Sequence, residues 1–293
     1  MKKIIALVLA LTMALTFAAC GSDPAETTGS TAAIGIPGVE DGVLTVGMEC
    51  AYAPYNWTQM DDSNGAVPIA NNPGTYAGGY DVMIAQKICQ AYGWKLEVMA
   101  LEWGGLSPAL AAGTIDVAIA GQSMTAERMA EVDMAGPYYY ATIVCLARVG
   151  TAQAAATSIA QLFGTCTSQS GTIWYDTCLP QIAGADIQAP AADAPAMIMA
   201  LESGMVDFIC TDLPTANGAV AKNPGLVVLN FSGTAGDFQF ADEAERAENV
   251  NIGVSVKKGN TELQQILNNF LSAMTVEEFN NLMEYAISIQ PSI

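Results

Sequence analysis

Arg128 is the residue of this chain best suited to bind a carboxylate. Its planar guanidinium can hold both carboxylate oxygens, and it lies at the start of a predicted helix, where free N–H groups also favour anions. Ser123 and Thr125 add hydroxyl and N–H donors just before it. The alternative is a surface ion pair between Arg128 and Glu127 or Glu131, which adds little to stability.

Two later segments carry polar groups next to predicted strands. Ser170, Gly171 and Thr172 precede a predicted helix, where exposed N–H groups suit an anion and Gly171 allows a close backbone approach. A plain helix N-cap by Ser170 or Thr172 is the alternative, and both roles can coexist. Asp212 directly follows a predicted strand, which places its carboxylate in a cleft, but it is also a good N-cap for the next helix.

Strand and helix signals alternate along the chain, which is typical of an α/β protein with parallel sheets. The predicted strands are 43–48, 95–100, 115–120, 143–149, 165–168, 206–211, 226–230 and 252–256. The predicted helices are 80–92, 106–112, one capped by Thr125, one beginning at Ile173, 196–203, one capped by Asp212, and two within 261–285. Gly93, Gly113 and Gly204 follow three of these helices, where a residue free to adopt positive φ suits a helix end.

The alternation restarts once, which predicts two lobes. The apolar strands 143–149 and 252–256 are expected to cross between them and to carry the bend of a hinge. The first lobe then contains 43–143 and 250–293, and the second contains 144–249. In such a clamshell a ligand binds in the cleft, near the carboxyl ends of the strands.

Residues 1–20 have the pattern of a secretory signal. Lys2 and Lys3 form a basic start, 4–19 is apolar, and two small residues precede Cys20. The sequence Phe-Ala-Ala-Cys ending at Cys20 resembles a bacterial lipobox. This resemblance implies removal of 1–19, lipidation of the Cys20 thiol and a tether to the outer face of the cell membrane. A transmembrane anchor is the alternative, but a span needs about 20 apolar residues and this run is shorter.

Segment 22–42 is rich in Gly, Ser, Thr, Ala and Pro and shows no apolar periodicity. Together with Cys20 it forms the predicted linker 20–42, a flexible spacer that holds the folded body off the membrane. The alternative is an N-terminal arm that packs on the body.

The composition excludes several classes of function. The chain has 29 acidic and 10 basic residues and a net charge of −19, so its surface repels nucleic acid and anionic headgroups. It has no histidine, which excludes Ser-His-Asp and Cys-His catalysis and the zinc sites that contain histidine. We expect no metal, no cofactor and no nucleic-acid partner.

The cysteines leave two possibilities open. None of those that follow Cys20 forms a C-x-x-C pair; they are Cys50, Cys89, Cys145, Cys166, Cys178 and Cys210. An extracytoplasmic location permits disulfides, and Cys166 with Cys178 is the candidate pair across a strand-to-helix turn. The alternative is that all are small buried hydrophobes.

Four segments follow one another in the order and spacing of one family. They are Glu-Cys-Ala-Tyr-Ala-Pro-Tyr at 49–55, Gly-Tyr-Asp-Val at 79–82, a run from 121 to 139, and Gln-Ser-Gly-Thr at 169–172 followed by Asp207 and Asp212. From about Gly42 onwards the chain resembles the polar amino-acid solute-binding proteins of ABC importers, which include lysine/arginine/ornithine-, histidine- and glutamine-binding proteins. The run 123–139 is the most specific part. The resemblance implies an α/β, two-lobed clamshell like the periplasmic binding proteins, with two crossing strands (type II).

The resemblance also implies how the carboxylate of a zwitterionic ligand is held. A free amino acid needs a cation and donors for its carboxylate and an anion for its ammonium. The family pattern places the carboxylate on Arg128, Ser123 and the backbone near Gly121. Gly171 and Thr172 approach the same carboxylate from the second lobe.

The same resemblance implies that four residues bind the ammonium and the side chain of the ligand. Asp212 holds the ammonium, and Tyr52 and Trp103 form walls around the ligand side chain. Glu49 reaches the far end of that side chain, which suits lysine, arginine or ornithine and also the amide of glutamine. The alternatives are ordinary core packing for Trp103 and a turn cap for Glu49.

Two features depart from the family pattern. Residues 56–78 form a long polar loop by sequence, where relatives often have fewer residues, and Trp57 or Gln59 could reach the cleft from it. Met134 stands where the family usually has Phe. The first departure bears on side-chain specificity.

The implied function is that of an extracytoplasmic solute-binding lipoprotein. We expect a monomer without catalytic residues, anchored through Cys20, that captures a polar amino acid with a cationic or amide side chain. It would deliver this ligand to an ABC permease. Two alternatives share the fold: an enzyme of the cyclohexadienyl dehydratase type, for which Glu49 is the available acid, and a ligand-sensing module that signals on closure.

Overall fold

The computed structural model describes residues 35–291. The predicted signal 1–19, the lipidation site Cys20 and the linker up to residue 34 lie outside the described residues. Between residues 35 and 291, no helix is both long and apolar enough to span a membrane.

Short strands and helices alternate through the described part of the chain. The strands, β1 to β14 in chain order, are Val43–Met48, Ala51–Tyr52, Asn56–Gln59, Val67–Pro68, Tyr76–Gly78, Lys95–Ala100, Val117–Ala118, Asp133–Tyr140, Ile143–Arg148, Phe163–Thr167, Gly184–Ile187, Phe208–Asp212, Leu226–Leu229 and Asn251–Val256. The α-helices, α1 to α8, are Tyr80–Tyr92, Leu106–Ala112, Ala126–Glu131, Ala194–Glu202, Leu213–Lys222, Glu243–Val250, Thr261–Ser272 and Val276–Ile289.

Two larger sheets organise the described residues, and they confirm the predicted α/β clamshell class. The sheet of the first lobe has the order β6-β1-β7-β14-β8, and that of the second lobe has the order β11-β10-β12-β9-β13. β14 runs antiparallel to its neighbours in the first sheet, and β9 does so in the second. The other strands of each sheet run parallel to one another, so the segments that follow β1, β7, β10 and β12 emerge at the carboxyl edges of the sheets.

The passages between the lobes are not the strands that the sequence predicts. β9 lies wholly in the second sheet and β14 wholly in the first. The chain instead passes between the sheets at residues 141–142, after β8, and returns between Val250 and Asn251. Asn251 pairs with Tyr140, so the two passages lie side by side. The prediction that 143–149 and 252–256 cross is therefore wrong, because sheet membership is decided by pairing partners that local patterns do not reveal.

Segment 56–78 is not a loop, contrary to the sequence-based expectation. Its strands β3, β4 and β5 join β2 in a small antiparallel sheet of order β2-β3-β5-β4. Trp57 Nε1 donates to Gln59 Oε1 at 2.8 Å, and the Gln59 amide donates to the Asp61 and Ser63 carbonyls. The side chains of Trp57 and Gln59 therefore form hydrogen bonds within this segment, and neither lines the cavity between the lobes. These strands are too short to show a detectable alternation of apolar and polar residues in the sequence.

The linker predicted over 20–42 is wrong at its C-terminal end. Val39 is buried, and the Pro37 carbonyl accepts a hydrogen bond from the Asn260 side chain at 2.7 Å. Gly38 has φ +102° and packs so closely on Asp116 that a Cβ would lie 3.1 Å from its Oδ1. Residues 36–42 thus form the packed arm that was the alternative.

Most predicted elements occur within two residues of their predicted bounds. The helix expected at Ile173 begins as a single π-helical turn, Trp174–Cys178. Thr125 and Asp212 cap α3 and α5 as predicted. The sequence analysis missed β8, β11 and α6, which lie in mixed polar and apolar stretches without a clean period.

The six cysteines of the described region are buried free thiols, so the candidate pair Cys166 and Cys178 is not a disulfide in the structure. Cys210 lies opposite Cys145 across β12 and β9. Burial raises the pKa of the Cys210 thiol, and the neighbouring thiols of Cys145 and Cys178 raise it further. These cysteines therefore behave as the small buried hydrophobes that were the alternative.

Gly79 and Gly93, at the two ends of α1, provide a matched test of backbone strain. Their φ angles are +121° and +72°, but a Cβ at Gly79 would lie 2.4 Å from the Tyr55 carbonyl oxygen, whereas nothing lies within 4 Å at Gly93. Gly93→Ala should lower the free energy of unfolding by about 1–2 kcal/mol through its left-handed conformation. Gly79→Ala should lower it by more than about 3 kcal/mol, because a backbone clash adds to that strain. Urea unfolding measures both, and equal losses would contradict the close packing at Gly79.

Candidate functional site

A small cavity lies between the lobes at the carboxyl edges of the two sheets. Its lining residues are Tyr52, Trp103, Gly121, Ser123, Arg128, Gln169, Thr172 and Trp174. All of these except Gln169 and Trp174 are predicted site residues. The cavity volume is about 10 Å³, close to the space that one water molecule needs. The lobes are therefore closed, and they must separate before a larger molecule can enter.

The other predicted site residues lie directly behind this lining and take part in contacts across the cleft. Three side-chain hydrogen bonds join the lobes there: Tyr52 Oη to Asp212 Oδ2 at 2.5 Å, Gln169 Nε2 to Glu49 Oε1 at 3.0 Å, and Trp103 Nε1 to the Gly171 carbonyl at 3.4 Å. The structure thus brings all nine predicted binding residues to one place.

Arg128 lines the cavity without a carboxylate partner. Its Nη1 donates to the Ser123 carbonyl, and its guanidinium lies 5.3 Å from the Trp103 ring centroid, in cation–π contact. Within residues 35–291 no carboxylate lies within ion-pair distance of it, so the surface pair with Glu127 or Glu131 does not form. Burial lowers the pKa of Arg128 to about 10, although both glutamates oppose the shift. Arg128 therefore stays charged at neutral pH and can bind an anion.

Two glycines allow the aromatic walls to approach the backbone. Gly121 has φ +63°, and a Cβ there would lie 2.6 Å from the Tyr52 ring; Gly171 has φ +65°, and a Cβ there would lie 3.2 Å from Trp103 Nε1. The Gly121 N–H donates to the Tyr138 hydroxyl at 3.0 Å. In the closed structure the Gly121 N–H is therefore already used. Any backbone donor to a ligand carboxylate must come from a residue next to Gly121.

Asp212 is both a helix cap and an acceptor across the cleft. Its Oδ1 accepts from the Thr215 N–H at 2.9 Å, while its Oδ2 accepts from the hydroxyls of Thr215 at 2.9 Å and Tyr52 at 2.5 Å. Burial raises its pKa, and these hydrogen bonds oppose the rise. The N-cap alternative is thus correct, and it leaves Oδ2 facing the first lobe through Tyr52.

Glu49 is only half satisfied by its protein partners. Its Oε1 accepts from Gln169, whereas its Oε2 is buried without a hydrogen-bond partner in the described residues. Burial raises the pKa of Glu49 to about 7; the Gln169 bond lowers it, and the carboxylates of Asp193 and Asp81 raise it. Glu49 therefore does not merely cap a turn, because its bond crosses the cleft.

Asp81 supports the cavity backbone from behind. Its two oxygens accept from Asn56 Nδ2 and from the Tyr138 hydroxyl, each at 2.8 Å. Burial raises the pKa of Asp81 to about 7, and these two hydrogen bonds oppose the rise. Because Tyr138 also accepts the Gly121 N–H, the network fixes the backbone that follows β7.

The aromatic wall continues into the first lobe. The Tyr52 ring stacks on Tyr55 with centroids 4.9 Å apart and an interplanar angle of 15°. Tyr80 and Tyr139 meet Tyr55 edge to face. Trp103 is not an ordinary core residue, because it lies at the cleft and bonds the second lobe. Tyr52 is thus fixed by stacking within the first lobe, whereas Trp103 is fixed by a hydrogen bond to the second lobe.

Sequence reasoning missed two lining residues and one supporting pair. Gln169 lies on the loop after β10, directly before the Ser-Gly-Thr segment, and Trp174 is the first residue of the π-helical turn that follows this segment. Their position at the carboxyl edge of a parallel strand is a signal that could have identified them. Asp81 and Tyr138 gave no such signal, because their bond joins residues 57 positions apart.

The chain is similar to known proteins over most of its length. A sequence model of the bacterial extracellular solute-binding proteins, family 3, matches residues 44–285. A probable histidine-binding protein of Neisseria gonorrhoeae is 28% identical over 276 residues, which cover 92% of this chain and 90% of that protein.

Solved structures share the fold. An amino acid ABC transporter substrate-binding protein of Streptococcus pneumoniae, bound to L-arginine, gives a TM-score of 0.71 at 23% identity and covers 86% of this chain and 96% of its own. An ancestral amino-acid-binding protein, described as a precursor of cyclohexadienyl dehydratase, gives a TM-score of 0.66 at 24% identity, with 85% and 97% covered.

The raised pKa of Glu49 predicts a pH-dependent stability. Because its folded-state pKa of about 7 exceeds the ordinary value of 4.5, the folded state binds this proton more tightly than the unfolded state. The resulting stabilisation is fully present below about pH 4.5 and is lost as the pH rises to about 7. Glu49→Gln removes the titration and should reduce the fall in unfolding free energy between about pH 5 and pH 8.

Glu102→Gln is the matched control, since it removes an exposed carboxylate of the first lobe. It should keep the wild-type pH dependence. Chemical unfolding at both pH values measures the effect. If Glu49→Gln keeps the wild-type dependence as well, the titration of a buried Glu49 is wrong.

Proposed function

The chain belongs to the bacterial extracellular solute-binding proteins of family 3, and we propose that it captures a polar amino acid and delivers it to an ABC permease. The observation that carries this proposal is Arg128, which lines the closed cavity with no carboxylate partner in residues 35–291. A partly buried cation at a closed cavity is stabilised by an anion. The carboxylate common to all amino acids supplies one, with the planar shape that a guanidinium matches.

The second lobe supplies the opposite charge. Asp212 Oδ2 meets the first lobe through the Tyr52 hydroxyl, which is the donor that a ligand ammonium joins or replaces. Thr172 of the second lobe and Ser123 of the first both line the cavity, so a ligand carboxylate can contact polar groups of both lobes. A zwitterion can therefore bridge the lobes, and its full set of contacts exists only when they close.

Glu49 favours a cationic or amide side chain on that amino acid. Its buried Oε2 is an acceptor without a hydrogen-bond donor in the described residues. The side chains of arginine, lysine and glutamine carry hydrogen-bond donors at their ends. The name of the Neisseria relative and the arginine in the streptococcal structure are consistent with this chemistry.

The anchored location rests on the N-terminal pattern. Removal of 1–19 and lipidation of Cys20 would hold a monomer at the outer face of the membrane. Family 3 proteins are extracytoplasmic, and a lipid tether keeps such a protein near its permease.

The pKa of Glu49 favours a second candidate, an enzyme of the cyclohexadienyl dehydratase type. A carboxyl group whose pKa is about 7 is suited to act as a general acid near neutral pH. The ancestral precursor protein shares the fold. Incubation with prephenate and with arogenate, followed by chromatography, separates the two functions: the binding protein leaves both compounds intact, whereas the enzyme consumes at least one.

Arg128 gives the mutational test of amino-acid capture. A thermal-shift screen over the standard amino acids, ornithine and cystine identifies a ligand, and calorimetry then measures its affinity. Arg128→Ala should weaken binding by about 3 kcal/mol or more, because it leaves a desolvated carboxylate without its cation. Arg128→Lys should recover only part of the loss, since an ammonium cannot form the two-bond fork.

Lys87→Ala removes an exposed cation of the first lobe and should leave the affinity unchanged. The carboxylate assignment is wrong if Arg128→Ala binds within about threefold of the wild type, a difference below 1 kcal/mol. A screen in which no amino acid raises the unfolding temperature would oppose the whole proposal.

A further inference from the structure

Gln169 joins the second lobe to the carboxylate of the first. It follows β10, whereas Glu49 follows β1, and the distance from Gln169 Nε2 to Glu49 Oε1 is 3.0 Å. Gln169 is only 3% exposed and lines the cavity. A buried side chain of one lobe thus directly orients the group that receives the ligand side chain in the proposed function.

The hydrogen bond from Gln169 leaves Oε2 of Glu49 without a donor and the carboxylate without a positively charged partner. Oε2 is buried without a partner, and the amide of Gln169 carries no charge. In the described part of the chain no cation lies within ion-pair distance of Glu49. The nearby carboxylates of Asp81 and Asp193 add negative charge to the same region. What Glu49 still lacks is therefore a positively charged donor.

We propose that the absence of charge on Gln169 makes it a specificity-determining residue: because its side chain does not neutralise Glu49, the site selects amino acids with a cationic side chain over those with a neutral one. Being a neutral donor, it occupies Oε1 and fixes the carboxylate, but it leaves Oε2 and the charge to the ligand. The inference rests on the proposed function and narrows its ligand class from cationic or amide side chains to cationic ones.

The chemistry of the candidate side chains supports this choice. An ammonium or guanidinium carries donors only, so each of its polar groups can face the carboxylate. An amide brings a carbonyl oxygen as well, which an ionised Glu49 cannot satisfy and which the surrounding carboxylates repel. A neutral ligand also leaves an ionised Glu49 unpaired, whereas a cationic side chain stabilises its ionised form and so opposes the rise that burial causes in its pKa.

Gln169→Lys tests the inference, because lysine can reach the same oxygen and brings the missing charge from the protein itself. The probes are L-arginine and L-citrulline, which replaces the guanidinium with a neutral urea group of nearly the same shape. The wild type should bind arginine at least about tenfold more tightly than citrulline, since a hydrogen bond to a charged group contributes this much. In Gln169→Lys the arginine-to-citrulline ratio should fall by about tenfold or more, through the loss of arginine affinity.

Two further variants keep the test decisive. Gln161→Lys makes the same change at an exposed site of the second lobe and should leave both affinities unchanged. Gln169→Met removes the donor without adding a charge, so it should weaken both ligands by about tenfold and keep the preference for arginine. Circular dichroism confirms that each variant is folded, and calorimetry measures each affinity.

Three results would overturn the inference while leaving amino-acid capture intact. They are a wild type that prefers citrulline, a ratio that Gln169→Lys does not change, and affinities that Gln169→Met does not change. The last result decides the matter even if Gln169→Lys does not fold. A wild type that binds none of the amino acids overturns the proposed function itself, and the inference with it.

Discussion

Unpaired charge in a closed cleft is the constraint on which the rest of this structure depends. The carboxyl groups of Glu49, Asp81 and Asp212 lie in or directly behind the cavity, and burial raises the pKa of each. Burial lowers the pKa of Arg128 on the same cavity. The largest cause of all four shifts is burial, which removes a charge from water, and neighbouring carboxylates add to the shifts of Glu49 and Asp81. Neutral donors such as Gln169 reduce this cost in the closed structure, but they do not balance the charges.

The arrangement of the strands allows many polar and aromatic side chains to meet at this small cavity. β1 and β7 of one lobe and β10 and β12 of the other end at the cleft, so loops from four strands supply side chains to one small volume. Gly121 and Gly171 adopt positive φ where the rings of Tyr52 and Trp103 pass within contact distance of the backbone. A Cβ at Gly121 would collide with the Tyr52 ring, so glycine is needed there for close packing as well as for conformation.

Local patterns in the sequence predicted the elements whose apolar period, caps and glycine stops are strong, such as α1 with Gly93 after it. They did not predict the sheet formed by β2 to β5, because strands of two to four residues are too short to show a period. They also misplaced the passages between the lobes, which depend on the pairing of Asn251 with Tyr140. The motif segments located the cavity and include Gln169, but its bond to Glu49 was not predictable from local patterns, because the two residues lie 120 positions apart.

The unpaired charges also explain how closure can depend on a ligand. Tyr52 with Asp212, and Gln169 with Glu49, already join the lobes through hydrogen bonds. If such bonds satisfied every buried group, the lobes would close equally well without a ligand, and closure would not depend on binding. Arg128 and Glu49 prevent this, because each carries, when ionised, a charge that no described residue neutralises. A ligand with an anionic group for the first and a cationic group for the second lowers the free energy of the closed state more than that of the open one, where water already solvates both.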